Sequence, residues 1–185
     1  MKKIIELLAK EFNKRNLTWA IGGSFLLKRY GINIDFDELD IMVSEDSVEE
    51  INKVMNEIAL KLEVVNNENY QTDYYSCYQM ENHTINIICN LKCDFEESFT
   101  YSFDKEDINS IEISNNEKIY FSHLLDWYVI YQEINSKETM NLIERYYENG
   151  SFLNNRRFSE KFGMTNIPHV KDKYSSLKKR IYQVG

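Results

Sequence analysis

Residues 19–43 read Trp19-AIGGSFLLKRYGINIDFDELDIM-Val43. A short apolar strand, Leu17 to Ile21, meets a break at Gly22-Gly23-Ser24. A helix is predicted from Ser24, as its N-cap, through Tyr30, with Gly31 as the C′ residue that ends it. Asn33 to Asp37 is a polar loop, and Glu38 to Val43 a second strand. That strand embeds two carboxylates in an apolar run. Glu38 and Asp40 are two apart, so both side chains leave one face, while Leu39 and Ile41 point the other way into the core.

Two adjacent carboxylates repel each other unless a cation sits between them or one is protonated. A hard, oxygen-preferring ion such as Mg²⁺, shared with substrate phosphates, is the natural partner. The plain alternative is an edge strand with its acidic face in water. The glycine turn favours the first reading. Glycine lets backbone approach a ligand closely, and the first N–H groups of a helix form a ready anion site. Gly22, Gly23 and Ser24 are therefore candidate phosphate-binding residues. Lys28 and Arg29, on the following helix, either reach a phosphate or are simply solvated.

This pattern of Gly22-Gly23-Ser24, a helix, a loop and then Glu38-Leu39-Asp40-Ile41-Met42-Val43 resembles the signature of the DNA polymerase β-type nucleotidyltransferase superfamily, and in particular its small bacterial members. The likeness covers residues 17 to 90 and continues more loosely through a helix around Trp127. It implies an α/β fold with a mixed sheet, helices packed on it, and a helical C-terminal part. It also implies that Gly22, Gly23, Ser24 and Lys28 hold the triphosphate of an NTP, with ATP the expected donor. Glu38 and Asp40 would bind Mg²⁺ or Mn²⁺, and an NMP would pass to a hydroxyl acceptor.

Two departures from the family pattern bear on activity. Glu38 stands where Asp is commoner, which moves the carboxylate by about 1.5 Å; Asp35 or Asp37 in the loop before it could substitute. The third carboxylate should lie in the strand containing His83-Thr84-Ile85-Asn86-Ile87, and the matching position is Asn86. Asparagine carries no charge and cannot act as a general base. Asp94 is about 26 Å further along an extended chain, and Asp73 on the neighbouring strand is the better substitute. Two readings follow. One is an active nucleotidyltransferase with Glu38, Asp40 and Asn86 in its catalytic centre. The other is a catalytically degenerate protein that keeps the fold as a nucleotide-binding or protein-interaction module.

Elsewhere, apolar spacing predicts a helix over 3–16 and another from Ser44 to about Leu62. Strands are expected at Tyr74–Met80 and Thr84–Cys89, joined by a turn at Glu81-Asn82-His83. Shorter ones are expected at Phe99–Phe103 and Ile108–Ile113. From Ser122 the pattern becomes helical and aromatic. Trp127 and Tyr131, four apart, share a face suited to packing on the sheet or to stacking on a base. His123 reads as a loop or cap residue. A helix over 137–148 ends at Gly150, and the basic tail beyond it holds a further helix or two. The division expected is a nucleotidyltransferase-like domain over 1–120 and a helical region over 121–185 packed on it.

The chain has 185 residues, a net charge of −8 and a pI near 5.0. That balance argues against general DNA binding, which needs a basic patch, but not against a nucleotide that arrives with a metal ion. The basic tail can meet an acidic partner or RNA, or balance the acidic body. Cys77, Cys89 and Cys93 lack the spacing and histidines of a zinc site, and read as reduced thiols. No signal peptide or membrane span is evident, so a cytoplasmic bacterial protein is expected. The oligomeric state, the acceptor and the base preference stay open.

Overall fold

The strands are β1 (Trp19–Ile21), β2 (Glu38–Val43), β3 (Leu60–Leu62), β4 (Gln71–Met80), β5 (His83–Cys93), β6 (Phe99–Tyr101), β7 (Ile108–Ser114) and β8 (Glu117–Ser122). The helices are α1 (Lys2–Lys14), α2 (Gly23–Arg29), α3 (Glu45–Ile58), α4 (Leu124–Glu133), α5 (Lys137–Glu148), α6 (Asn155–Phe162) and α7 (Pro168–Tyr182). This computed structural model describes residues 1–64, 71–93, 99–163 and 168–182, with backbone alone at 71, 73, 93 and 99. Among them the strands form one mixed sheet in the order β3-β4-β5-β2-β1-β8-β7, with β6 paired to β5. Two pairings are parallel, β1 with β8 and β2 with β5. The fold is thus the mixed α/β sheet with packed helices expected from sequence.

The two faces of the sheet do different work. Leu39 and Ile41 on β2 pair with Ile85 and Ile87 on β5, and all four are fully buried. On β4 the same face carries Tyr74 and Tyr78, whose hydroxyls both donate to Asn52 Oδ1 of α3. This is the apolar face that α3 covers. The other face carries Glu38, Asp40 and Asn86, and α4 lies over it.

Three local expectations change. Leu60–Leu62 belongs to a strand instead of the end of α3. Ala59 takes an extended conformation after Ile58, and Leu60 to Leu62 pair with Gln79 to Cys77 at the sheet edge. Edge pairing there wins over helix propensity. The segment Glu117–Ser122, which the sequence pattern leaves without an element, is β8, the strand beside β1. The hairpin β4–β5 is longer than expected, and its turn is Glu81-Asn82, with Glu81 at φ 53°.

Part of the basic tail is paired inside the molecule, while Lys173, Lys178 and Lys179 are exposed. Arg157 of α6 is 8% exposed and donates to Asp126 of α4 at 2.9 Å and to Asp107 at 2.7 Å. Tyr101 adds a bond to Asp126, and Lys161 one to Asp107, each 2.6 Å. Burial pushes the Asp107 carboxyl up, but the bonds from Lys161 and Arg157 outweigh it and hold it below its ordinary value. Arg180 of α7 bonds Glu144 and Glu148 of α5 near the surface. No helix among the described residues is long and apolar enough to cross a membrane. Removing one member of a buried ion cluster strands its partners, so Arg157→Ala should lower unfolding free energy by about 3–5 kcal/mol. Arg180→Ala should cost about 1 kcal/mol or less. Paired denaturant titrations of the two variants check the contrast.

Candidate active site

The turn after β1 is fastened to β2. Ile21 sits opposite Ile41 in an antiparallel pair, and the Gly22 amide extends the pairing by donating to the Asp40 carbonyl at 2.9 Å. Gly23 follows with φ +58°, and a Cβ there would lie 1.9 Å from Asp40 Oδ2 and 2.9 Å from Asp40 Cβ. Only glycine fits both the backbone conformation and the carboxylate beside it. Gly22 has a different reason. A Cβ there would lie 2.1 Å from the Trp127 ring, so Gly22 makes room for α4. Ser24 is not the helix N-cap: α2 starts at Gly23, Gly22 occupies the cap position, and no side chain caps it. Starting one residue early leaves Ser24 in the first turn, where it lines the cavity over the carboxylates.

Parallel pairing of β2 with β5 sets Asp40 opposite Asn86. Glu38, Asp40 and Asn86 therefore converge on one face. The Asn86 amide nitrogen donates to Glu38 Oε2 at 2.8 Å and to Asp40 Oδ1 at 2.9 Å. Its oxygen accepts from the Tyr75 hydroxyl at 2.9 Å. Asn86 is buried, Asp40 half-buried and Glu38 exposed. Burial pushes the Asp40 carboxyl up from 3.8 to about 6; the bond from Asn86 opposes the shift and the Glu38 charge adds to it.

These groups line a cavity of about 220 Å³ whose other walls are Tyr75, Ile88 and Leu91 from the hairpin and Trp127, Ile130 and Tyr131 from α4. Trp127 is both wall and anchor: its ring nitrogen donates to Ser122 Oγ at 2.8 Å, and that hydroxyl donates to the Ile21 carbonyl at 3.0 Å. Lys28 is not brought to this cavity. It lines a separate apolar one with Phe25, Phe36 and Phe121. Arg29 packs over the Phe121 ring at 4.2 Å and pairs with Glu112. Asp35 and Asp37 are exposed and line no part of the carboxylate cavity. His123 holds the N-cap position of α4. Asp73 lies on β4 but its side chain is outside the described ones, as is Asp94 altogether.

Among the described residues no three His, Cys, Asp or Glu side chains converge as a metal-binding group. The donor set is two carboxylates plus one carboxamide. The two carboxylates suit a hard divalent cation completed by phosphate oxygens; the Asn86 amide presents its nitrogen to them and its oxygen to Tyr75. Tyr75 is the site residue that the sequence reading missed. Its signal is in the hairpin register: Cys77 pairs with Asn86 and Tyr75 with Ile88, so Tyr75 is a diagonal same-face neighbour of Asn86.

No protein-family model matches the chain, and no curated protein matches it. Solved structures do. A Thermotoga maritima protein, provisionally assigned as a nucleotidyltransferase, superposes with a TM-score of 0.60 at 14% identity, over 80% of this chain and 92% of that one. The crystal structure of ANT(2″)-Ia in complex with adenylyl-2″-tobramycin gives 0.52 at 11% identity, over 96% and 97%. The solution structure of the antibiotic-resistance factor ANT(2″)-Ia also gives 0.52 at 11% identity, over 98% and 96%. The chain has the nucleotidyltransferase fold.

Gly23→Ala should destabilise the protein by about 1–3 kcal/mol through backbone strain and displace the Asp40 carboxylate; a thermal melt together with cation-dependent ligand binding reads both effects. The Asp40 shift also has a pH signature. The folded-state value near 6 lies above the ordinary 3.8, so the folded protein binds the extra proton between those values. This group therefore favours folding as pH falls through that window and opposes it above. Cation binding needs the ionised form, so affinity for a cation–nucleotide complex should fall about tenfold per unit below pH 6, as titration calorimetry across pH 5 to 8 would register.

Proposed function

We propose that the protein is a nucleotidyltransferase that moves an NMP from a Mg²⁺–NTP complex to a hydroxyl of a small molecule or macromolecule. The observation that carries this reading is the convergence of Glu38 and Asp40 beside the Gly23 turn, in a cavity walled by α4. Glu38 and Asp40 hold the cation, and Gly23 and Ser24 receive the phosphates. When bound, the ion neutralises charge on the α-phosphate and on the departing pyrophosphate. The acceptor oxygen forms its bond to the α-phosphorus as the bond to the β-phosphate oxygen breaks. Asn86 cannot take the hydroxyl proton, so that proton leaves to water or to a phosphate oxygen. The adenylyl group in the ANT(2″)-Ia complex supports ATP as donor and a small-molecule hydroxyl as acceptor. Residues 1–120 act as the nucleotidyltransferase unit and 121–185 as its wall and buttress, in the cytoplasm.

A second reading, a nucleotide-binding or protein-interaction module without catalysis, is favoured by one observation: an uncharged amide stands where a third carboxylate would act as base. Calorimetric titration of ATP, GTP, CTP and UTP, with and without Mg²⁺, separates these readings from a protein that binds no nucleotide. Mg²⁺-dependent binding is expected, weakened at least about tenfold by Asp40→Ala. Incubation with α-labelled ATP and candidate hydroxyl acceptors then distinguishes transfer from binding alone. Absence of binding to every NTP would overturn the nucleotidyltransferase reading and leave the protein-interaction module.

A further inference from the structure

We propose that Asn86 is a two-position plug for the cation site: its amide nitrogen fills the gap between Glu38 and Asp40 when no cation is present, and its amide oxygen turns into that gap when a divalent cation enters with the nucleotide. The proposal rests on the reading of Glu38 and Asp40 as the cation ligands. A carboxamide nitrogen has two hydrogens, and the two bonds at 2.8 and 2.9 Å use both of them. The amide therefore gives each carboxylate the positive partner that an ion would otherwise give, and the like-charged pair stays side by side. The opposite orientation would set a carbonyl oxygen against two carboxylates, which is why the amide nitrogen faces them.

The other end of the amide makes the reversal feasible. Asn86 Oδ1 accepts from the Tyr75 hydroxyl at 2.9 Å. A hydroxyl both donates and accepts. After a half-turn of the amide about its terminal bond, Tyr75 Oη accepts from Nδ2 and the amide oxygen faces the carboxylates as a neutral ligand. The reversal is a rotation of the side chain alone and needs no movement of β5, and the Tyr75 hydroxyl meets either end of the amide. An aspartate at position 86 has no such pair of states: it would add a third negative charge that a cation or a bound proton must relieve. The functional meaning of asparagine here is a site that is stable without metal, has weak affinity for the free ion, and accepts the ion together with the triphosphate.

Electron paramagnetic resonance titration with Mn²⁺ alone, without nucleotide, tests this on wild type and Asn86→Asp. The variant should bind Mn²⁺ about tenfold or more tightly than wild type. It should also melt below wild type in EDTA and recover with Mn²⁺, a shift that wild type lacks. Equal Mn²⁺ affinity in the two proteins, or an Asn86→Asp melt in EDTA matching wild type, overturns the plug. Recovery of folded Asn86→Asp only with Mn²⁺ present supports it. A reading on wild type needs no variant: the ¹⁵N–¹H signals of the Asn86 side-chain amide should shift when Mg²⁺ and a non-hydrolysable ATP analogue are added to saturation. Unchanged signals at saturation overturn the plug. Failure of wild type to bind any Mg²⁺–nucleotide defeats the proposed function instead, and the Mn²⁺ comparison still decides the plug.

Discussion

Two carboxylates on one strand face need a counter-group, and in this protein the Asn86 amide supplies it. The rest of the site is arranged around that bridge. The parallel register of β2 and β5 puts Asn86 opposite Asp40. The antiparallel hairpin brings Tyr75 close enough to orient the amide. The backbone bond from Gly22 to Asp40 sets the glycine turn alongside. Each of these is a main-chain or short polar contact, so the geometry is held by the sheet itself and not by long surface side chains.

The fourth wall comes from further along the chain. Trp127 fits over Gly22 because that residue has no side chain, and it is tethered through Ser122 to the carbonyl of Ile21. Asp126, its neighbour on α4, is held by Arg157 from α6 and by Tyr101 from β6. A buried cluster of this kind adds little net stability over an apolar equivalent but is costly to break. Its effect here is to fix α4 in one position over the cavity.

Much of this was legible in the residues. Alternation in Glu38–Val43 placed both carboxylates on one face, and the strand bounds match the structure. Gly31, at φ +80°, ends α2 as a left-handed C′ glycine. The family resemblance called for a third acidic position, and the alternation of Ile85, Asn86 and Ile87 matched Asn86 to it. The parts that were not legible depend on distant partners. Glu117–Ser122 runs without a break signal into the aromatic helix, and its strand character comes from pairing with β1 and β7. Leu60–Leu62 looks like the last turn of a helix until β4 is beside it. Arg157 reads as one basic residue among many in a basic tail, and Lys28 reads as a phosphate ligand because helical position alone does not say which cavity it faces.

The parallel pairing of Ile21 with Phe121 has a bearing on how the molecule assembles. The glycine turn emerges early in synthesis, yet β1 finds one neighbour about a hundred residues later, and the indole that closes over Gly22 follows that neighbour. Contacts of such long sequence separation carry a high loop-closure entropy and form late. The carboxylate pair and its hairpin can be in place while the cradle beside them is still open. Completion of the cavity thus coincides with docking of the last third of the chain, so a nascent or truncated protein cannot present a finished site.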